Sequence, residues 1–271
     1  VFRQLLRYWP DFREPLIALA KSSAWPPGFA TAIRGFESKT GRTVKLRFAP
    51  DVADDWLPEL LLLRCESELA HVTSWFGAPL SGRVGVYVFD NECGLPPIHG
   101  RKHGGFALVG DNSVAVTAGA SFDEIIRHEL AHLFADRWNR FAPPLVSEGL
   151  AMCAQRTVRG VPLQFAARTI VASGQPRLLP LLNSAAFYDE MHTSYLAAGS
   201  FSDFLLRRYG WFTYQTFYRS LQWHPFCVSF ERHFGLTIEA AESQWRDEAI
   251  PRAVLARRLG KVVWLCSQDS N

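Results

Sequence analysis

Apolar residues recur along this chain with two periods, and the places where one gives way to the other mark its elements. VFRQLLRYW and REPLIALAKS carry helical spacing that the Trp25-Pro26-Pro27-Gly28 cluster breaks, so a helical segment running out into a loop is predicted over 1–42. Arg42 to Phe48 alternates apolar and basic residues, the pattern of a half-buried strand. After Pro50-Asp51, Asp54 to Phe76 reads as one long amphipathic helix, with Trp56, Leu60, Leu63, Ser67, Leu69 and Trp75 toward its apolar side. Gly77-Ala78-Pro79 ends it, and Arg83 to Phe89 (RVGVYVF) is a second strand. Strand, long helix and strand in this order predict a crossover within one sheet.

Asn91 to Gly105 is a loop rich in Gly, Pro and His. Gly104 to Val109 then re-enters the sheet as an edge strand, Asp111-Asn112 turns the chain, and Ser113 to Thr117 returns beside it. Glycines at the start of an edge strand admit a second backbone, such as an extended peptide; they also suit a simple hairpin that binds nothing. Ser121 to Arg140 is predicted helical, with Ser121 as N-cap and Glu124 completing a capping box. Ala142-Pro143-Pro144 separates it from a helix over Leu145 to Arg156. A polar connector follows, then a helix from Tyr195 to Tyr209 ended by Gly210. WFTYQTFYRSLQW, FERHF and Ile238 to Leu259 make the rest mainly helical, and KVVWLC reads as a short strand or an apolar tail.

The helix over 121–140 carries the chemistry. His128-Glu129-Leu130-Ala131-His132 places two imidazoles four residues apart, about 40° apart in rotation, so both can reach one ion. Glu129 stands about a quarter-turn aside, suited to handling a water rather than ligating the metal. A catalytic zinc of this kind needs a third protein ligand and keeps one position open. Glu148 is the leading candidate, sixteen residues after His132 on a helix that returns through the Pro-Pro turn, with Gly149 beside it to let helices approach closely. The remaining N–H of a zinc-bound histidine is usually accepted by a carboxylate or carbonyl. Asp136 beyond His132, and Asp123 or Glu124 before His128, lie about one turn away and could serve, although solvated helix charge is their default reading.

HELAH followed by SEGLA resembles the gluzincin metallopeptidases of the peptidase MA clan, in which a glutamate on the second helix completes the zinc site. Ser194-Tyr195-Leu196-Ala197-Ala198-Gly199-Ser200-Phe201 is similar to the tyrosine-bearing helix of the aminopeptidase N and leukotriene-A4-hydrolase families. By that likeness Tyr195 stabilises the tetrahedral oxyanion, and Gly104, Gly105, Phe106 and Ala107 occupy the place of a substrate-binding edge strand. Gly235 to Glu239 through Trp245 resembles the closing helix of compact bacterial MA-like peptidases. The likeness covers roughly residues 43 to 250.

The resemblance implies an α+β, zincin-like fold, with a small mixed sheet and edge strand over the HExxH helix and a mainly helical part after it. The corresponding division is a helical segment over 1–42, an α/β part over 43–141, and a helical part over 142–271 carrying Glu148 and Tyr195. It implies one zinc per chain, held by His128, His132 and Glu148, and hydrolysis of a peptide or protein substrate by a metal-activated water. Glu129 would be general base and Tyr195 oxyanion donor. His192, three residues before Tyr195, is a second donor or an ordinary surface histidine, and His103 borders the edge strand. Two departures from the family are visible. The interval from His132 to Glu148 is a few residues shorter than in thermolysin or aminopeptidase N, which favours the compact group. Ala107 and Leu108 also stand where aminopeptidases place the glutamate that holds a free amino end, so aminopeptidase specificity is not implied. A zincin-fold zinc-binding module without peptidase activity, and a zinc hydrolase of a non-peptide bond, remain as alternatives.

Composition narrows the remaining choices. Apolar residues make up 48% and charged residues 20% of 271, an ordinary globular balance, and nine tryptophans with twenty phenylalanines predict aromatic-rich layers. The net charge of +3 is small and its basic residues are scattered, so no nucleic-acid partner is expected. No apolar run approaches the roughly 20 residues of a membrane-spanning helix. Val1 in place of methionine leaves room for an upstream signal or anchor, so the compartment stays open. Cys65, Cys93, Cys153, Cys227 and Cys266 are widely and irregularly spaced, each read as a small buried hydrophobe, with room for one disulfide at most. His71, His99, His224 and His233 lack partners at ligand spacing and are read as structural or solvated.

Overall fold

The computed structural model describes residues 25–97 and 103–249. The expected helical stretch before Trp25, most of the loop tip at 98–102 with His99, the end of the last helix beyond 249, KVVWLC and Cys266 lie outside these residues. Two compact units are present: one runs to Ala142 and includes Leu150–Gly160, the other comprises Pro143–Gly149 and the chain from Val161 onward. One helix is therefore divided between them, its first residues in the second unit and its last in the first.

The first unit is built on a five-stranded mixed sheet. After a single helical turn, α1 (Phe29–Ala32), the strands are β1 (Glu37–Thr40), β2 (Val44–Phe48), β3 (Val84–Phe89), β4 (Gly105–Leu108) and β5 (Ser113–Thr117), in the order β1-β2-β3-β5-β4. β2, β3 and β5 are parallel neighbours, while β1 and β4 flank them antiparallel. The parallel strands β3 and β5 are buried along their whole length, which is why VGVYVF and SVAVT read as continuous runs without strict alternation. The β2–β3 crossover is made by a short α2 (Val52–Asp55) and a long α3 (Pro58–Phe76). β1 replaces the loop expected over the end of 1–42. Its pattern ESKT carries no apolar signal because it is an edge strand with little buried surface.

The apolar face of α3 also differs from expectation. Leu61, Cys65, Glu68, Leu69, Val72 and Phe76 are buried, whereas Leu60 and Leu63 are 59% and 61% exposed. Four consecutive leucines leave the phase of the stripe undetermined, and the charged Glu68 hides its true centre. Glu68 is buried because it accepts two hydrogen bonds from the guanidinium of Arg127, one of them at 2.9 Å. That pair joins α3 to α4 (Phe122–Asn139), which packs against β4 and β5. Phe76 stacks on Phe134 with ring centroids 4.8 Å apart, completing the α3–α4 contact. On the other sheet face, Phe29, Tyr87, Phe89, Phe106 and Leu108 form an apolar cluster.

The helix after the Pro-Pro turn, α5 (Pro144–Gln155), is the shared one. The second unit then continues with α6 (Leu163–Ser173), α7 (Ser184–Asp189), α8 (Met191–Ser220), α9 (Phe226–Phe234) and α10 (Ile238–Ala249). α6 and α7 occupy what reads as a polar connector in sequence; α6 buries only Leu163, Ala167 and Val171 along a narrow seam. α8 is two helical stretches meeting at Gly210, whose φ of 83° and ψ of 162° are non-helical and belong to a region that glycine alone enters freely, so the predicted helix stop at Gly210 is present and a second stretch leaves it in a new direction. The core here is aromatic: Phe201 lies against Phe230 and Trp245, and the Trp245 indole N–H donates to Ser200 Oγ across 3.0 Å. Among the described residues no helix is long and apolar enough to cross a membrane. Cys65 is buried and Cys153 half-buried, but Cys93 and Cys227 are exposed, contrary to the reading of every cysteine as a core residue.

Candidate metal centre

α4 turns its chemical face toward the edge strand. Phe122, Ile126, Leu130, Leu133 and Phe134 are buried on the faces that hold the helix in place, and His128 and Glu129 are themselves 7% and 8% exposed. Burying an imidazole and a carboxylate together is costly unless they are used or partnered. Gly105 of β4 explains how Glu129 fits. A Cβ built on Gly105 would stand 3.0 Å from Glu129 Cγ, 2.7 Å from Ile125 Cγ2 and 2.9 Å from the carbonyl oxygen of Ala115. Any larger residue there would displace Glu129 or the strand. Gly104 is less constrained, a Cβ there meeting the movable end of Ile125, Cδ1, at 2.8 Å and no backbone closer than 3.9 Å.

Gly104 accepts through its carbonyl from the Thr117 N–H at 2.8 Å and from Thr117 Oγ1 at 3.1 Å. In the antiparallel register Gly105 lies opposite Val116 and Ala107 opposite Val114. Alternation of bonded and non-bonded pairs therefore turns the N–H and C=O groups of Gly105 and Ala107 to the open side of β4, away from β5. Phe106 and Leu108 anchor the strand from its opposite face.

His128, His132 and Glu148 form a group whose ligand atoms all lie within 4.8 Å of one another; His128 and Glu148 are buried and His132 is half-buried. The two histidine Nε2 atoms are 3.2 Å apart. Zinc–nitrogen bonds of about 2.0–2.1 Å at a near-tetrahedral angle put two ligand nitrogens about 3.3 Å apart, so this spacing fits one ion. Two imidazoles and a carboxylate also match a donor set that zinc accepts in catalytic sites. The residues fit the metal.

Two of the three ligand candidates, His128 and Glu148, are held by groups that sequence spacing did not single out. His128 Nδ1 lies 3.1 Å from Gln155 Oε1, and the Tyr188 hydroxyl donates to Glu148 Oε1 across 2.9 Å. Neither partner stands at a recognisable interval from the histidines: Gln155 ends α5, and Tyr188 lies on α7, within the supposed connector. The carboxylates considered for this task are engaged elsewhere. Asp123 pairs with Arg64 through both oxygens, at 2.5 and 2.8 Å. Asp136 pairs with Arg140; burial pushes its carboxyl pKa up, and that arginine pulls it part of the way back.

Glu124 does not complete a capping box, because Ser121 makes no side-chain cap hydrogen bond. Its carboxylate instead receives Thr157 Oγ1 at 2.7 Å and the backbone N–H groups of Arg159 and Gly160 at 2.8 and 2.7 Å.

Gly149 is as tight as expected. A Cβ there would stand 2.7 Å from the Ala198 carbonyl oxygen and would clash with Ser202 Oγ, so α5 lies against both backbone and side-chain atoms of α8 beside Glu148. Tyr195, half-buried on the first turns of α8, packs its ring edge-on against Phe187 at 5.2 Å and lies 6.5 Å from the Tyr188 ring. Within the second unit, Tyr188 is thus bonded to Glu148 and near the ring of Tyr195. His192 is exposed on the same stretch of α8, and His103 is half-buried just before β4. His71, half-buried, lies 3.5 Å from an Arg156 nitrogen, His233 Nδ1 lies 2.8 Å from the Ser229 carbonyl oxygen, and His224 is exposed.

No protein-family model matches the chain, and neither does any curated protein. Among solved structures it is similar to the crystal structure of a mutant M1 zinc metallopeptidase from Deinococcus radiodurans, with a TM-score of 0.50 and 18% identity over 80% of this chain and 52% of that one. The chain spans about half the length of that protein, and the likeness is one of fold.

Proposed function

We propose that this chain is a zinc-dependent metallopeptidase of the gluzincin type, with His128, His132 and Glu148 as ligands. The observation that carries the reading is the convergence of two Nε2 atoms 3.2 Å apart with the Glu148 carboxylate, directly beside a buried glutamate. The fold likeness to an M1 zinc metallopeptidase supports it, as does the open side of β4 next to Glu129. In such a site zinc supplies Lewis acidity, polarising the scissile carbonyl and making water acidic enough to attack near neutral pH.

The chain's own residues do the rest. Glu129 takes the proton from the attacking water and returns it to the leaving amine nitrogen, so no net charge is left behind. The outward N–H and C=O groups of Gly105 and Ala107 pair with the substrate backbone as an added strand, and Gly104 and Phe106 set their position. Tyr195 donates to the oxyanion of the tetrahedral intermediate, a bond whose loss typically costs about 3 kcal/mol of barrier. His192 is the candidate for a second donor. The helical part after residue 142 supplies Glu148 and Tyr195, and the α/β part before it the HELAH helix and edge strand. Peptide or protein is the substrate class.

Zinc analysis and a metal-dependent cleavage profile against an unbiased peptide library, on the wild type and Glu129→Gln, test the reading. One zinc per chain in both proteins is expected, with turnover lost only in the variant. Full activity in Glu129→Gln removes the assigned base, and zinc binding without cleavage of any peptide points to a zinc-binding module or a non-peptide bond.

A further inference from the structure

From the hydrogen bonds around the first histidine of the HELAH helix, we infer that Gln155 is a positioning residue that fixes the tautomer of His128, making Nε2 the basic nitrogen that can ligate a metal. The inference rests on the proposed zinc site for its purpose, but its geometry stands by itself.

The Gln155 amide can point only one way. Its Nε2 lies 2.7 Å from the carbonyl oxygen of Thr157, and a carbonyl can only accept, so the atom facing it must be the NH2 group. That leaves Oε1, which can only accept, 3.1 Å from His128 Nδ1. Nδ1 must then carry the proton, and Nε2 must be the basic nitrogen. Nε2 is the atom that meets His132 Nε2 at 3.2 Å.

The carbonyl that orients the amide is itself clamped. Arg156 sits in the left-handed region at φ 72°, which folds the chain back so that Gln155 can reach the carbonyl two residues on. Thr157 is tied through its hydroxyl to Glu124, and the Arg159 and Gly160 N–H groups close on the same carboxylate. Glu124 stands one turn before His128 on α4. The hydrogen bonds therefore form a closed circuit: α4 at Glu124, the turn at 157–160, the Gln155 amide, and α4 again at His128. A neutral amide here fixes direction without placing a second negative charge behind the ligand, whereas zinc-bound histidines are commonly backed by a carboxylate.

Two measurements decide the matter. Long-range 1H–15N spectra of the metal-free protein should show His128 protonated on Nδ1. Gln155→Met, of similar shape but without the hydrogen bonds, should lose that preference, and Gln155→Glu, which loses the donor to the Thr157 carbonyl but keeps an acceptor toward Nδ1, should retain it. In chelator competition Gln155→Met should bind zinc about 10- to 100-fold more weakly than the wild type, with Gln155→Glu within a few-fold of it. An Nε2-protonated His128 in the wild type overturns the inference, as does a Gln155→Met protein with unchanged tautomer and affinity. A wild type that shows the Nδ1 tautomer yet binds no zinc leaves Gln155 in its role and removes the zinc reading instead. Should Gln155→Met not fold, Gln155→Ala, which also removes the acceptor toward Nδ1, decides by the same two readouts.

Discussion

Tyr188 donates its hydroxyl to Oε1 of Glu148 across 2.9 Å, fixing one oxygen of the carboxylate proposed as third ligand. A carboxylate held at one oxygen presents the other in a defined direction. Tyr188→Phe removes the donor while keeping the ring that packs on Phe187 and lies near Tyr195. Zinc affinity is expected to fall about 10-fold, with little change in unfolding midpoint of the metal-free protein. Equal chelator-competition curves for the two proteins would show that the contact does not position the ligand.

Gly149 tests the fit of α5 against α8 next to that same ligand. An alanine methyl would meet the Ala198 carbonyl oxygen at 2.7 Å, and backbone cannot step aside as a flexible side chain can. Gly149→Ala should destabilise by about 1–3 kcal/mol although alanine is the better helix former. Urea denaturation of the metal-free protein measures it. An increase in stability would mean the helices have room to part.

The Glu68–Arg127 pair ties α3 to the HELAH helix in a part-buried setting. Glu68→Gln should cost about 2 kcal/mol by leaving the guanidinium without its charge partner. Replacing both residues by methionine should cost less than either single change, because no lone charge remains buried. A double-mutant cycle by denaturant unfolding reads the coupling, and additive single effects would deny it.

His71 gives a pH dependence of definite sign. Burial lowers its pKa below the usual 6.5, and the charges of Arg127 and Arg156 lower it further. The folded chain therefore holds fewer protons on this group than the unfolded chain between the two pKa values. Its contribution to stability is present in full above about pH 6.5 and is lost as pH falls through the folded-state value. His71→Gln should flatten the slope of stability against pH in that acid range and change little at pH 8. A wild-type slope that survives the substitution assigns it to other groups.

Strong local signals made much of this molecule legible. The alternation in RTVKLRF, the apolar runs at β3 and β5, and the glycine-led edge strand all name true strands. HELAH and SEGLA named the three residues that the fold brings within 4.8 Å of one another. Where the reading fell short, the cause was a tertiary contact with no local trace. The leucine run of α3 cannot reveal which stripe is buried, since Arg127, far along the chain, puts Glu68 at its centre. β1 exists because β2 offers an edge, and ESKT has no pattern of its own. Glu124 has the spacing of a capping residue but is drawn to the turn at 157–160, whose three donors outbid one backbone N–H. Gln155 and Tyr188 carry no motif at all; their importance is set by what stands opposite them.

α5 carries Glu148 and Gln155 seven residues apart, and seven steps of about 100° return to within about 20° of the starting direction. The helix therefore acts as a ruler two turns long, carrying the proposed ligand at one mark and, at the next, the amide proposed to orient another. One residue inserted or deleted between the marks would swing one of them by about 100°, so in this stretch length is constrained as well as the buried identities of Gly149, Leu150 and Ala151.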